Sequence, residues 1–177
     1  MLARRIVLAA ALAAPVSAFA SDEIAAPVLP PPLEGMAHVT FTRFDGASAS
    51  LRDLLAPGVA SIVSFWATWC PPCAVEARHL GRMRQRIAPS RLNMLGVNVD
   101  TRANEIEIAR FLQAASARYT QVRGDIDAYR AFGGGGNIEL PRLFVFTRDG
   151  RPLAAFDRYL GPATSRRIDD AVAAAMG

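Results

Sequence analysis

Val59-Ala60-Ser61-Ile62-Val63-Ser64-Phe65-Trp66-Ala67-Thr68-Trp69-Cys70-Pro71-Pro72-Cys73 runs from a near-continuous apolar stretch into the only two cysteines of the chain, at the head of a helix-patterned segment. The apolar part, Val59 to Trp66, has the length and composition of a strand buried on both faces, the kind found at the centre of a sheet. Proline is favoured in the first turn of a helix, where its missing N–H would have had no partner. A helix starting at Pro71 or Pro72 therefore makes Cys70 its N-cap.

That position carries chemistry. The positive end of a helix stabilises a thiolate, the form that attacks disulfides, and lowers the Cys70 pKa below the free value of about 8.5. Cys73 lies about one turn on, close enough to close a disulfide with Cys70 but turned inward. Cys70 is thus the expected attacking thiol and Cys73 the resolving one. Pro71 and Pro72 delete two backbone N–H groups that could have donated to the Cys70 sulfur. The thiolate is correspondingly less stabilised, and the expected poise is reducing, nearer about −270 mV than −120 mV. An inert buried pair or a static cross-link is the weaker reading, because so short a loop constrains little of the unfolded chain.

Upstream, Met1 to Ala20 reads as a cleaved signal peptide: Arg4 and Arg5, the apolar stretch Ile6 to Ala14, and Ala18-Phe19-Ala20 as a small-residue cleavage site. The alternative is an uncleaved membrane anchor, but the stretch falls short of the ~20 residues of a spanning helix and Pro15 interrupts it. No cysteine near the cleavage site could take a lipid. Residues 21–35, with Pro27, Pro30, Pro31 and Pro32, read as an extended linker, and residues 36–177 as a single globular domain. A domain of that size buries about 68–70% of its unfolded surface without needing a disulfide, which leaves the cysteines free for function. Export to an oxidising compartment means that a reducing dithiol must be re-reduced from outside, so a membrane electron donor is implied.

The chain has 20 basic residues, all Arg, and a formal charge of +4. They are scattered except for Arg78, Arg82, Arg84 and Arg86 on the helix after the cysteines, expected to be a solvated face and not a nucleic-acid site. Along the domain, residues 38–44 alternate as a strand ending at Asp45-Gly46, and residues 50–55 read as a short helical turn. A helix over 72–87 and a buried strand over 92–99 follow. Residues 100–117 read as a helix with Asp100 and Thr101 as cap candidates. Residues 142–147 and 153–156 flank Arg148-Asp149-Gly150-Arg151, a hairpin signal, before a last amphipathic helix over 163–176. Gly133 to Gly136 read as a flexible loop. Strands alternating with helices give a parallel core.

Strand, Trp-Cys-x-x-Cys, helix, strand, helix, then a hairpin preceded by Pro and a terminal helix resembles the thioredoxin fold. This is an α/β fold with a central mixed β-sheet flanked by helices, here with an N-terminal β-hairpin-type extension and a central insertion. Ser64 to Cys73, with Glu76 three residues beyond, is similar to the TlpA/ResA/CcmG-type family of exported thiol-disulfide oxidoreductases, over roughly residues 36–177. The resemblance implies a periplasmic, monomeric reductant of protein disulfides that needs no cofactor or metal and is kept reduced by a membrane protein of the DsbD or CcdA type. Its implied substrates are disulfides of apocytochrome c or of proteins that assemble the copper site of cytochrome oxidase.

The same resemblance assigns site residues. Glu76, on the helical face of Cys73, would be a partly buried carboxylate of raised pKa that relays the Cys73 proton; the position of thioredoxin's buried Asp is Ser64 here. Leu140-Pro141 would be a cis peptide beside the cysteines, whose backbone pairs with the substrate chain as an added strand. Leu140 is bulkier than the Thr or Val common there, which alters the groove. Trp69 is the expected exposed docking platform, with Pro71, Pro72, Leu140 and Pro141 completing the substrate surface, whereas Trp66 is expected in the core.

His38 and His79 are singletons expected at the surface, and the two cysteines with a His make no familiar metal-ligand spacing. The alternative of a different class is a Cu(I)-carrying metallochaperone module that uses the two thiolates. A DsbA-like oxidant differs only in poise, and a peroxiredoxin-like peroxidase is disfavoured by the cysteine spacing.

Overall fold

The computed structural model describes residues 28–101 and 105–177. The expected signal peptide and residues 21–27 of the expected linker lie outside the described residues. The rest of that linker is seated on the domain: Pro30 is buried, and the Leu33 N–H donates to the Gly150 carbonyl at 2.9 Å.

Among the described residues, seven strands form one mixed sheet. They are β1 (Thr40–Arg43), β2 (Ser48–Ser50), β3 (Ala60–Trp66), β4 (Leu92–Asn98), β5 (Thr120–Arg123), β6 (Arg142–Phe146) and β7 (Pro152–Phe156), in the order β2-β1-β5-β4-β3-β6-β7. β3, β4 and β5 are parallel, and β6 and β7 continue the sheet antiparallel from β3. Every residue of β3 is buried, as its apolar run requires of a strand with neighbours on both edges.

Five helices accompany the sheet among the described residues: α1 (Leu51–Leu54), α2 (Pro71–Arg86), α3 (Glu105–Ala114), α4 (Ile126–Ala131) and α5 (Pro162–Met176). Alternate side chains of β3 divide between two apolar clusters, as a period of two dictates. Ala60 and Ile62 pack with Leu80 and Met83 of α2 and Ile168 and Val172 of α5. Val63 and Phe65 pack with Phe41, Leu51, Tyr129 and Phe132, where Phe65 meets Tyr129 and Phe132 edge-on at 5.5 and 5.2 Å. Gly81 lets α2 approach the end of α3: a Cβ there would lie 2.4 Å from the Ala115 carbonyl oxygen.

The β1–β2 hairpin is the expected N-terminal extension, and β5 with α4 supplies the central insertion. Neither β2, β5 nor α4 is individually legible in the sequence. β5 offers one buried apolar residue, Val122, and α4 is only six residues long, started by Asp125, whose carboxylate accepts from the Asp127 and Ala128 N–H groups.

Two expectations need correcting. His79 is not at the surface: it is 5% exposed, with Nε2 3.0 Å from Asp169 Oδ1 on α5. The helix it sits on is covered by α5, which the local pattern cannot show. Arg84 leaves the solvated face to donate from its guanidinium to the carbonyls of Ile87, at the end of α2, and Leu92, at the start of β4. Asp100 serves the loop that leads to Cys70, its carboxylate accepting from the Thr68 N–H at 2.9 Å, the Thr68 hydroxyl and the Asn98 amide, while residues 102–104, where its expected helix cap would act, lie outside the described residues.

Candidate active site

β3 ends at Trp66, and Ala67 to Trp69 carry the chain to the first turn of α2. Cys70 is the N-cap in extended backbone, with prolines in the first two helical positions. The Cys73 N–H donates to Cys70 Sγ at 3.2 Å. The two sulfurs form a disulfide across a Cα–Cα distance of 5.3 Å. Cys70 is 4% exposed and Cys73 1%, so both sulfurs of the disulfide are covered, while the neighbouring Trp69 is 63% exposed. Pro71 is exposed and Pro72 half-buried. An open cleft of about 610 Å³ runs beside Trp69, lined also by Thr68, Asp100, Arg110 and Phe111.

Glu76 lies one turn beyond Cys73 and is 1% exposed. Ser64 of β3 donates its hydroxyl to Glu76 Oε1 at 2.7 Å, while Oε2 is buried without a hydrogen-bond partner. Burial pushes the carboxyl up to about 7, opposed by the Ser64 hydrogen bond. A carboxyl poised there can both take and return a proton near neutral pH. Trp66 is in the core as expected, stacked on Phe111 at 4.4 Å between centroids.

The Leu140–Pro141 peptide bond is cis. β6 begins at Arg142, which pairs with Phe65, so the register sets Pro141 at the same end of the sheet from which β3 delivers the cysteines. Arg142 itself escaped the sequence reading. It is 7% exposed, its Nε 3.1 Å from Asp157 Oδ1 and its guanidinium over the rings of Tyr129 and Phe144 at 5.4 and 5.3 Å. The Tyr129 hydroxyl in turn bonds the backbone N–H and carbonyl of Glu139, one residue before Leu140. A lone Arg opening an apolar strand is the only signal that could have exposed this anchor. The Ser64–Glu76 bond and the Asp100 tether were equally hidden, since each joins residues brought together only by strand pairing and helix packing.

A disulfide capping the helix that follows the central strand of a thioredoxin-like sheet is the hallmark of a thiol-disulfide oxidoreductase, and this chain is an enzyme of that class. Residues 34–151 match the AhpC/TSA family. The thiol:disulfide interchange protein HelX of Rhodobacter capsulatus is 30% identical over 133 residues, covering 72% of this chain and 70% of that protein. Among solved structures, a thioredoxin-family thiol:disulfide interchange protein from Chlorobium tepidum is 25% identical with a TM-score of 0.65, over 86% of this chain and all of that one. A secreted disulfide oxidoreductase of Mycobacterium tuberculosis shares the fold at 20% identity, with a TM-score of 0.63 over 80% of this chain and 98% of that one. The chain belongs to the AhpC/TSA family and, within the thioredoxin fold, to the thiol-disulfide oxidoreductases of the ResA/DsbE/CcmG/TlpA kind.

Proposed function

We propose that the protein is an exported, periplasmic dithiol reductant of protein disulfides. The observation that carries this reading is the donor set around Cys70. Pro71 and Pro72 have no N–H to give, and the Cys73 N–H is the backbone donor that reaches the Cys70 sulfur, at 3.2 Å. A thiolate so sparsely supported is a weak leaving group, so the disulfide is the favoured product and electrons flow outward. The exported location draws support from the N-terminal signal pattern and from the relatives.

In the reaction, the Cys70 thiolate attacks a sulfur of the partner's disulfide, forming a mixed disulfide and releasing the partner's first thiolate. Cys73 then gives its thiol proton to Glu76, and the resulting thiolate attacks Cys70 Sγ. The Cys70–Cys73 disulfide forms, the mixed disulfide breaks, and the second partner thiolate leaves and takes up a proton. The partner chain lies against Trp69, Pro71 and Pro72 and pairs with the backbone at Leu140 and Pro141. A membrane donor of the DsbD or CcdA type returns two electrons to the pair. Apocytochrome c and copper-site proteins of cytochrome oxidase are the substrate classes assigned, and the protein works as a monomer. The Cu(I)-carrier alternative gains no support, because among the described residues Cys70 and Cys73 have no third His, Cys, Asp or Glu gathered with them.

Equilibration of Cys70/Cys73 against glutathione tests the direction. A potential near about −270 mV is expected, whereas one near −120 mV would overturn the reductant reading. Cys73→Ser should accumulate mixed disulfides with partners at Cys70, visible as adducts lost on adding dithiothreitol. A variant that traps none would count against Cys70 as the attacking thiol.

A further inference from the structure

Ser64 on β3, Gly96 on β4 and Gln121 on β5 are in register, so they make one row across three parallel strands, on the side of the sheet that α2 covers. Gly96 is the gap in that row. A Cβ there would lie 2.1 Å from Gln121 Oε1 and 2.8 Å from Nε2, so the Gln121 side chain lies down over Gly96 in the space that Cβ would fill. Its Oε1 accepts from the Trp66 indole N–H of β3 at 3.0 Å. Indole is a donor only, so this bond decides which end of the amide is the carbonyl. The NH₂ end is left buried and without a partner.

One strand away in the same row, Ser64 occupies Glu76 Oε1 and leaves Oε2 buried and equally unpartnered. One orphan is a donor and the other an acceptor. Tyr119 stands two residues before Gln121, just ahead of β5, and also lines a surface cleft with Arg84 and Met94. The Tyr119 hydroxyl is within electrostatic reach of both the Gln121 amide and the Glu76 carboxyl. Buried polar atoms are rarely left single in a native fold, and clusters of them behind a reactive group repay a functional explanation.

We propose that Gln121 and Tyr119 are positioning residues for Glu76, completing the polar lining of the pocket that holds its second oxygen and so governing how readily that carboxyl takes and returns the Cys73 proton. The proposal rests on Glu76 as the proton relay. Facing Glu76 are Cys73 on its own helix, Ser64 from β3 and Tyr119 from just ahead of β5, with the Gln121 side chain beside Tyr119; His79, farther along α2, is engaged by Asp169 of α5. A donor facing a carboxylate favours its ionised form, so removing the donor raises the pH at which the carboxyl ionises.

The test is an infrared titration of the oxidised protein, following the protonated-carboxyl band that Glu76→Gln removes. Gln121→Leu keeps the bulk but loses the amide, and should move the midpoint upward by roughly half a pH unit or more. Tyr119→Phe should move it in the same direction by less, and as the removal of one oxygen it decides the matter if Gln121→Leu does not fold. An unmoved midpoint in folded variants overturns the proposal. The pH profile of partner release from a mixed disulfide, measured in parallel, separates it from the reading beneath it. A shifted midpoint with an unshifted release profile supports Gln121 and Tyr119 as partners of the carboxyl and overturns Glu76 as the relay.

Discussion

Glu76 and His79 stand one turn apart on α2, both buried and both titratable, and burial pushes them in opposite directions, the carboxyl up and the imidazole down. What differs is the company. His79 faces Asp169, a partly exposed carboxylate 3.0 Å away that offsets part of the cost of burying its charge. Glu76 faces a neutral group, the Ser64 hydroxyl 2.7 Å from its Oε1, and its own Oε2 is buried without a hydrogen-bond partner. A buried ionisable group with a counter-ion is a pin between two elements, whereas one with only neutral dipoles keeps a mobile proton. The helix thus carries a reactive group and a structural one of similar burial, told apart by what lies opposite.

The largest effect that would break this contrast is kinetic. Glu76→Gln should slow resolution of the mixed disulfide by about 100-fold near neutral pH, the low end of what a positioned acid–base group contributes. His79→Gln should change that rate by less than about twofold, since its neighbours are structural and not reacting atoms. Rapid-mixing measurement of partner release in both variants checks the pair. Equal slowing would mean that burial on α2, and not the counter-ion, decides function.

Next comes stability against pH. Glu76 titrates at about 7 in the fold against 4.5 when free, so the native state holds the extra proton between those values. Stability is full below pH 4.5 and declines as pH rises through 7, by about 3 kcal/mol in total for a fully buried group. Glu76→Gln lacks this decline. The difference in unfolding free energy between parent and variant should therefore change by about that amount between pH 4 and pH 8, and taking the difference cancels the opposite trend of His79. Denaturant melts at the two pH values measure it.

The sequence makes the reactive half of this comparison legible and hides the structural half. Cys70, Cys73 and the strand before them lie in one unbroken stretch, so local rules for helix starts and buried strands suffice to place them. Glu76 sits within one turn of Cys73, where helical spacing alone puts it on the same face. Its actual partner, Ser64, was visible as a polar break in an apolar strand, but the bond depends on how α2 lies over the sheet. His79 reads as a surface residue because its cover, α5, comes some ninety positions later in the chain. β5 escapes for a related reason: a strand whose neighbours are β4 and β1 needs little apolar character of its own, and its informative residue, Gln121, matters only because Gly96 clears the space beside it.

The smallest effect concerns the pin itself. His79 titrates below its ordinary value of 6.5 in the fold, because burial outweighs the attraction of Asp169. Above pH 6.5 both folded and unfolded chains hold it neutral and it costs nothing. As pH falls, the unfolded chain takes the proton first, so the stability that His79 contributes is lost as pH drops toward its folded value. Asp169→Asn removes the attraction that had limited the shift and pushes His79 lower still, so the acid loss must continue to lower pH. With the Asp169 side chain 43% exposed, solvent screening holds the change below about 1 kcal/mol. Thermal midpoints of parent and Asp169→Asn should agree at pH 8 and diverge at pH 5, with the variant the less stable. A variant that melts higher than the parent at pH 5 would show that the neutral pair, and not the ionic one, holds α2 against α5.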